Sequence, residues 1–269
     1  MYVLDLVKPG TRLKSEDYNW SNDIERLLSH IEAAFYEANV ALNLFVTQLT
    51  RDQEQKTLLR IHKDNNKREL REREYHDRKV VEELVRKELG LSAYDYSERL
   101  IFETDVKIKQ EKWHRGEMPE SHNHCLVFIY AKSFLYALDT IEKFIKVLSR
   151  EAGVPEMVRI KYKQIAVEFP DLKGVRNTTQ HLEDRARGLG AEREPKPIKL
   201  KPISNAFINA PQGCLALNNL HGTKFGTTMA NGNYGEVDVS LESLTKIQKI
   251  IQDILDAFEW QGIKLYLPY

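Results

Sequence analysis

Apolar residues recur at steps of three and four between Ser21 and about Thr50: Ile24, Leu27, Leu28, Ile31, Ala34, Phe35, Ala38, Ala41 and Leu42. That period predicts an amphipathic helix, and Ser21, Asn22 and Asp23 offer it an N-cap. The strongest helical pattern runs from Ser121 to Arg150. Its stripe is Leu126, Ile129, Tyr130, Phe134, Ala137, Leu138, Ile141, Ile145 and Leu148. The first half is apolar nearly all round, as expected of the central helix of a bundle. Between these two lies a different stretch, Arg51 to Gly90. From Lys63 to Arg78 it is almost wholly polar, with charges of both signs and no Gly or Pro. That pattern predicts a long solvated helix or helical hairpin laced with i,i+4 pairs. Gly90 closes a helix carrying Val80, Val81, Leu84 and Val85, and Ser92 to Trp113 reads as another.

Gly116 and Pro119 mark a loop before the central helix. Gly153 fits its C-terminal stop, and Pro155 fits the first turn of the next helix. That helix runs to about Glu168; Phe169-Pro170 breaks it and starts one more, ending near Gly188 and Gly190. Glu194 to Pro202 is rich in Pro and Lys and reads as a loop. Beyond it the period becomes extended. Cys214 to Leu220, Lys224 to Met229 and Tyr234 to Val239 predict three short strands, punctuated by Gly222, Gly226, Asn231-Gly232-Asn233 and Gly235. Ser240 caps a last helix with the seam Leu244, Ile247, Ile251, Ile254 and Phe258, which packs back on the bundle. The expected fold is mainly α: one domain over residues 1–269, a helical bundle with a charged helical segment at about 51–90. A small antiparallel three-stranded β insertion, at about 204–240, precedes the C-terminal helix.

Composition narrows the function classes. The chain has 269 residues, with 40 Lys and Arg against 40 Asp and Glu. Zero net charge excludes a strongly basic nucleic-acid tail, though not a local basic patch. Cys125 and Cys214 form no disulfide framework and no paired zinc knuckle. Such cysteine usage points to a reducing compartment. Met1 to Arg12 is too short an apolar stretch for a signal peptide, and the most apolar run, Cys125 to Leu138, falls short of the ~18 residues of a membrane span. The expectation is a soluble cytoplasmic protein with no membrane partner.

The candidate chemistry lies on the helix after Pro170. Leu172, Val175, Thr179, Leu182 and Ala186 step along its seam. At roughly 100° per residue, Asn177 and His181 fall one turn apart on the opposite face. Arg176 flanks them nearer the seam, and Arg185 lies one turn beyond His181 on its face. Histidine, with an ordinary pKa of about 6.5, takes and gives protons near neutrality. An Arg fork grips phosphate oxygens and stabilises charge developing on phosphorus. An Asn amide orients either partner. Two other Arg-to-His spacings lack this setting: Arg71 to His76 has Glu72 after the Arg, and Arg115 to His122 spans Pro119.

Arg176, Asn177 and His181 resemble the signature of the HEPN superfamily: an Arg, a polar residue directly after it, often Asn, and a His four to six residues on. The strand segment with its closing helix is similar to that of uncharacterised bacterial HEPN-domain proteins. The resemblance implies a metal-independent endoribonuclease that drives a 2′-OH onto the adjacent phosphate and leaves a 2′,3′-cyclic phosphate. His181 would be acid or base, Arg176 the phosphate clamp and Asn177 the orienting group. It implies no cofactor, a homodimer with the motif helices at or beside the interface, and a place in defence or as a toxin with an antitoxin or regulatory partner. Leu182-Glu183-Asp184 departs from the Tyr-containing toxin version. The same resemblance also covers catalytically silent interaction or nucleotide-binding modules. Arg185, Arg187, Arg193, Lys196, Lys199 and Lys201 follow the motif closely and are candidates to hold an RNA backbone.

Other constellations carry less. His114, His122, His124 and Cys125 crowd together, but i and i+2 point apart near a helix start and no second ligand pair follows. They read as loop histidines and a core Cys, and no metal site is expected. The glycines after Gly222 precede no Gly-Lys-Ser/Thr, so they form no phosphate loop; no Gly-x-Ser-x-Gly is present either.

Overall fold

The computed structural model describes residues 2–65, 67–192 and 196–268. Its elements are β1 (Leu6–Lys8), β2 (Arg12–Leu13), α1 (Tyr18–Asn65), α2 (Lys67–Leu89), α3 (Glu98–His114), α4 (Glu120–Leu148), α5 (Glu156–Glu168), α6 (Leu172–Gln180) and α7 (Leu182–Ala186). There follow β3 (Ile203–Ser204), β4 (Asn209–Ala210), β5 (Asn219–His221), β6 (Lys224–Thr228), β7 (Tyr234–Asp238), α8 (Leu241–Ala257), β8 (Trp260–Gln261) and β9 (Leu265–Leu267). The fold is mainly helical with small antiparallel sheets. Where the sequence suggests one domain, the chain packs as two compact units: residues 47–127, and residues 1–46 with 128–269.

The unit 47–127 holds most of the charged segment. There α2 and α3 pack around a small core of Val81, Val85 and Leu100, with Leu89, Leu91 and Ile108 against it. Gly90 takes φ +66° and ends α2. The Ser97 hydroxyl accepts from the Leu100 N–H at 3.1 Å and starts α3. Polar pairing supplements the small core: Arg78 meets Asp105 at 2.6 Å, and Arg86 meets Glu82 one turn before it at 2.7 Å.

The other unit has a large core. Leu28, Phe35 and Leu42 of α1, Phe134, Leu138 and Ile145 of α4, and Leu244, Ile251 and Ile254 of α8 are all buried. By length and composition, α4 is apolar enough to cross a membrane, beyond what the run Cys125 to Leu138 suggests. Phe134, Leu135, Leu138, Ile141, Ile145 and Leu148 of this helix lie in the core, whereas Ile129 and Val147 are exposed. The Ser240 hydroxyl accepts from the Ser243 N–H at 3.2 Å and caps α8, which packs on α5 and β1.

The three-stranded meander is present as β5-β6-β7, with Phe225 opposite Val237 and Thr228 opposite Tyr234. Its first strand starts at Asn219 rather than Cys214. The residues before it bond to Thr228 instead: Ala216 exchanges backbone bonds with its N–H and hydroxyl, and Cys214 accepts from that hydroxyl. Gly232 turns the β6–β7 hairpin at φ +83°, where a Cβ would sit 1.9 Å from the Lys199 carbonyl oxygen. Both strands lie against α6, so the meander backs the motif helix. Three two-stranded sheets were not predicted: β1 with β9, β2 with β8, and β3 with β4.

Candidate functional site

Helix α6 buries Leu172, Val175 and Thr178. The buried threonine is Thr178, whose hydroxyl reaches the Thr228 carbonyl of β6 at 3.4 Å, rather than Thr179. The helix also ends sooner than expected. His181, at φ −119° and ψ 44°, leaves the helical region, and only the short turn of α7 follows. The continuous helix expected up to Gly188 is therefore broken at the motif histidine. The His181 N–H still bonds the Asn177 carbonyl at 3.1 Å, which keeps those two residues one turn apart.

Arg176 is held from two sides. Its Nε donates to Asp139 Oδ1 at 2.7 Å and its Nη1 to Gln180 Oε1 at 2.8 Å. Asp139 is buried on α4, and Lys143 takes its second oxygen at 2.7 Å. Asp139 was legible as a signal: a lone acid between Leu138 and Ile141 in an apolar stripe needs a cationic partner. Asn177 is half-buried and His181 exposed. The His181 Nδ1 lies 3.8 Å from Glu183 Oε1. With Asp184 these residues offer three ligand atoms within 4.8 Å of one another, the group among the described residues that could hold a metal ion. Asp184 also pairs with Arg187 at 2.5 Å.

The basic residues divide. Arg185 does not share the face of His181: it is buried, and its Nη1 donates to the carbonyls of Leu189 and Gly190, the latter at 2.8 Å. This corrects its reading as an RNA contact, because a guanidinium bonded to its own loop cannot reach a phosphate. Arg187, Lys196, Lys199 and Lys201 are exposed, with Lys196 3.1 Å from Glu192. Arg193 lies outside the described residues. Cys125 is exposed rather than in the core.

One cleft adjoins the motif. It lies between α6 and the β6–β7 turn, measures about 620 Å³, and is lined by Asp171, Lys173, Asn177, Asn231, Asn233 and Tyr234 among others. Burial, reinforced by the nearby charge of Glu236, pushes the Tyr234 hydroxyl up to about 12, so it stays a neutral phenol at ordinary pH. Asp171 Oδ2 accepts from the Glu236 N–H at 3.1 Å and ties the helix to β7. Comparison with family models, curated proteins and solved structures finds no match to this chain.

Proposed function

We propose that the chain is a cytoplasmic, metal-independent endoribonuclease of HEPN type, acting in defence or as a toxin under an antitoxin or regulatory partner. The observation that carries this reading is an exposed histidine one helical turn from Asn177, next to an arginine whose fork is held still by Asp139 and Gln180. A clamp fixed before the substrate arrives needs no reorganisation when charge develops on phosphorus. In the reaction the 2′-oxygen bonds to phosphorus and the bond to the 5′-oxygen breaks. One proton leaves the 2′-OH and another goes to the departing 5′-oxygen. A single His181 can serve one of these transfers at a time, so a homodimer, with His181 of each copy beside the same strand, completes the acid–base pair.

A second reading has its own support. Arg176 uses Nε and Nη1 inside the protein, which suits a catalytically silent interaction or nucleotide-binding module. Total cellular RNA incubated in EDTA with the purified protein, and with His181→Ala in parallel, separates the two. Fragments from the wild type alone support the ribonuclease. An intact RNA pool in both reactions favours the silent module, and fragments from both place the activity outside His181.

A further inference from the structure

The cleft beside the motif is built by the meander, which the Arg-Asn-His signature does not include. We propose that it holds one nucleotide of a single-stranded RNA, the nucleotide next to the phosphate engaged by Arg176 and His181. This rests on the ribonuclease reading and adds to it a substrate subsite.

Three observations argue for it. First, Asn177 belongs both to the motif and to the cleft lining, so the two are continuous. Second, the lining is rich in amides. An amide carries donor and acceptor together, the combination that reads a base edge. Asn231 Oδ1 accepts from the Asn233 N–H at 3.1 Å, which leaves the Asn231 NH₂ as its group for a ligand. Third, the charges are sorted. Lys173 is exposed one turn before Asn177 on α6, while Asp171 contributes a carboxylate to the cleft itself. That carboxylate repels a phosphate placed inside and leaves the cleft to an uncharged base. The phosphates then lie outside, toward Lys173 and Arg176. A volume of about 620 Å³ is in the range of small-molecule sites. The cleft is open to solvent, so an unstacked base of a single strand can enter it.

Close packing fixes the cleft walls. A Cβ on Gly174 would lie 2.1 Å from Met229 Sδ, and one on Gly235 would lie 3.0 Å from the Asp171 carboxyl carbon. The hairpin thus seats on α6 at glycine distance. On the far side, Arg185 holds the carbonyls of Leu189 and Gly190, which lead into Ala191 of the lining.

The test uses the full chain carrying His181→Ala, a fluorescein-labelled single-stranded octaribonucleotide of mixed sequence, and the four 5′-nucleoside monophosphates. Lys173→Gln removes the charge at the rim. Asn231→Asp keeps the oxygen that makes the turn and replaces the NH₂ with a negative group. Each is expected to weaken oligonucleotide and mononucleotide binding about tenfold while the melting temperature stays put. Unchanged binding in both variants overturns the subsite, and cleavage by the wild type then shows whether the ribonuclease reading survives without it. If the wild type cleaves nothing but mononucleotide binding still falls in both variants, the ribonuclease reading fails and the cleft stands as a nucleotide site. Absence of any binding by the oligonucleotide and all four monophosphates overturns the subsite.

Discussion

Arg176 on α6 donates through Nε to Asp139 on α4 at 2.7 Å, tying the motif helix to the central helix. The Asp139 side chain is 6% exposed and that of Arg176 14%. Breaking such a pair by removing one partner leaves a charge with little water around it. Asp139→Ala is therefore expected to lower stability to urea by about 3 kcal/mol. Pairing Asp139→Leu with Arg176→Met should return most of that loss, because both charges leave together. A loss below about 1 kcal/mol for the single variant would mark the pair as effectively solvated.

Gly174 tests the seat of the hairpin. In an exposed helix interior Gly→Ala gains about 1 kcal/mol. Here the new methyl meets buried Met229, and Gly174→Ala is expected to cost about 1–3 kcal/mol through overpacking. In a Met229→Ala background the same change should become neutral or stabilising. Thermal melts of the four proteins measure the reversal, and a cost that persists in that background would place the conflict elsewhere.

The basic residues should separate by role. Arg185→Ala removes a buried side chain and its bonds to two carbonyls, an expected cost of about 3 kcal/mol. Arg187→Ala and Lys199→Ala, both exposed, should change stability by no more than about 0.5 kcal/mol. RNA affinity should divide the other way, falling for the exposed residues, with the loss shrinking as salt rises. Equal melting temperatures for Arg185→Ala and Arg187→Ala would contradict the assignment.

Tyr234 sets an alkaline limit. Its folded pKa, raised to about 12, exceeds the ordinary value of 10.0. The group therefore contributes stability that is fully present below pH 10 and is lost as pH climbs toward 12. Absorbance at 295 nm, titrated for the wild type and Tyr234→Phe, should differ by a step near the upper end of that window. Loss of the same step near pH 10 would show the phenol to be solvated.

Much of the fold was legible because its helices bury regular stripes. Phe134, Leu138, Ile141 and Ile145 on the central helix, and Leu244, Ile247 and Ile251 on the last, lie in the core as their spacing implies. The meander was legible from its glycines. The break at His181 was not: neither Gly nor Pro marks it, and Leu182 and Ala186 continue the helical step. Thr178 and Thr179 are adjacent and chemically alike. Only the Thr228 carbonyl, supplied by a strand fifty residues later, selects the first. The face of Arg185 was misread for the same reason, since the carbonyls that bury it belong to a loop beyond the pattern. The terminal strands are two or three residues long, too few to show a period.

Those terminal strands also bear on the order of assembly. Leu6 pairs with Leu267 and Leu13 with Trp260, and all three leucines are buried in the finished fold. On the ribosome β1 and β2 must wait until β8 and β9 have been made. Residues 47–127, whose contacts are close in sequence, have no such delay. The segment lying between the two halves of the larger unit is thus free to fold while that unit still has an open seam, and translation itself sets when the seam closes.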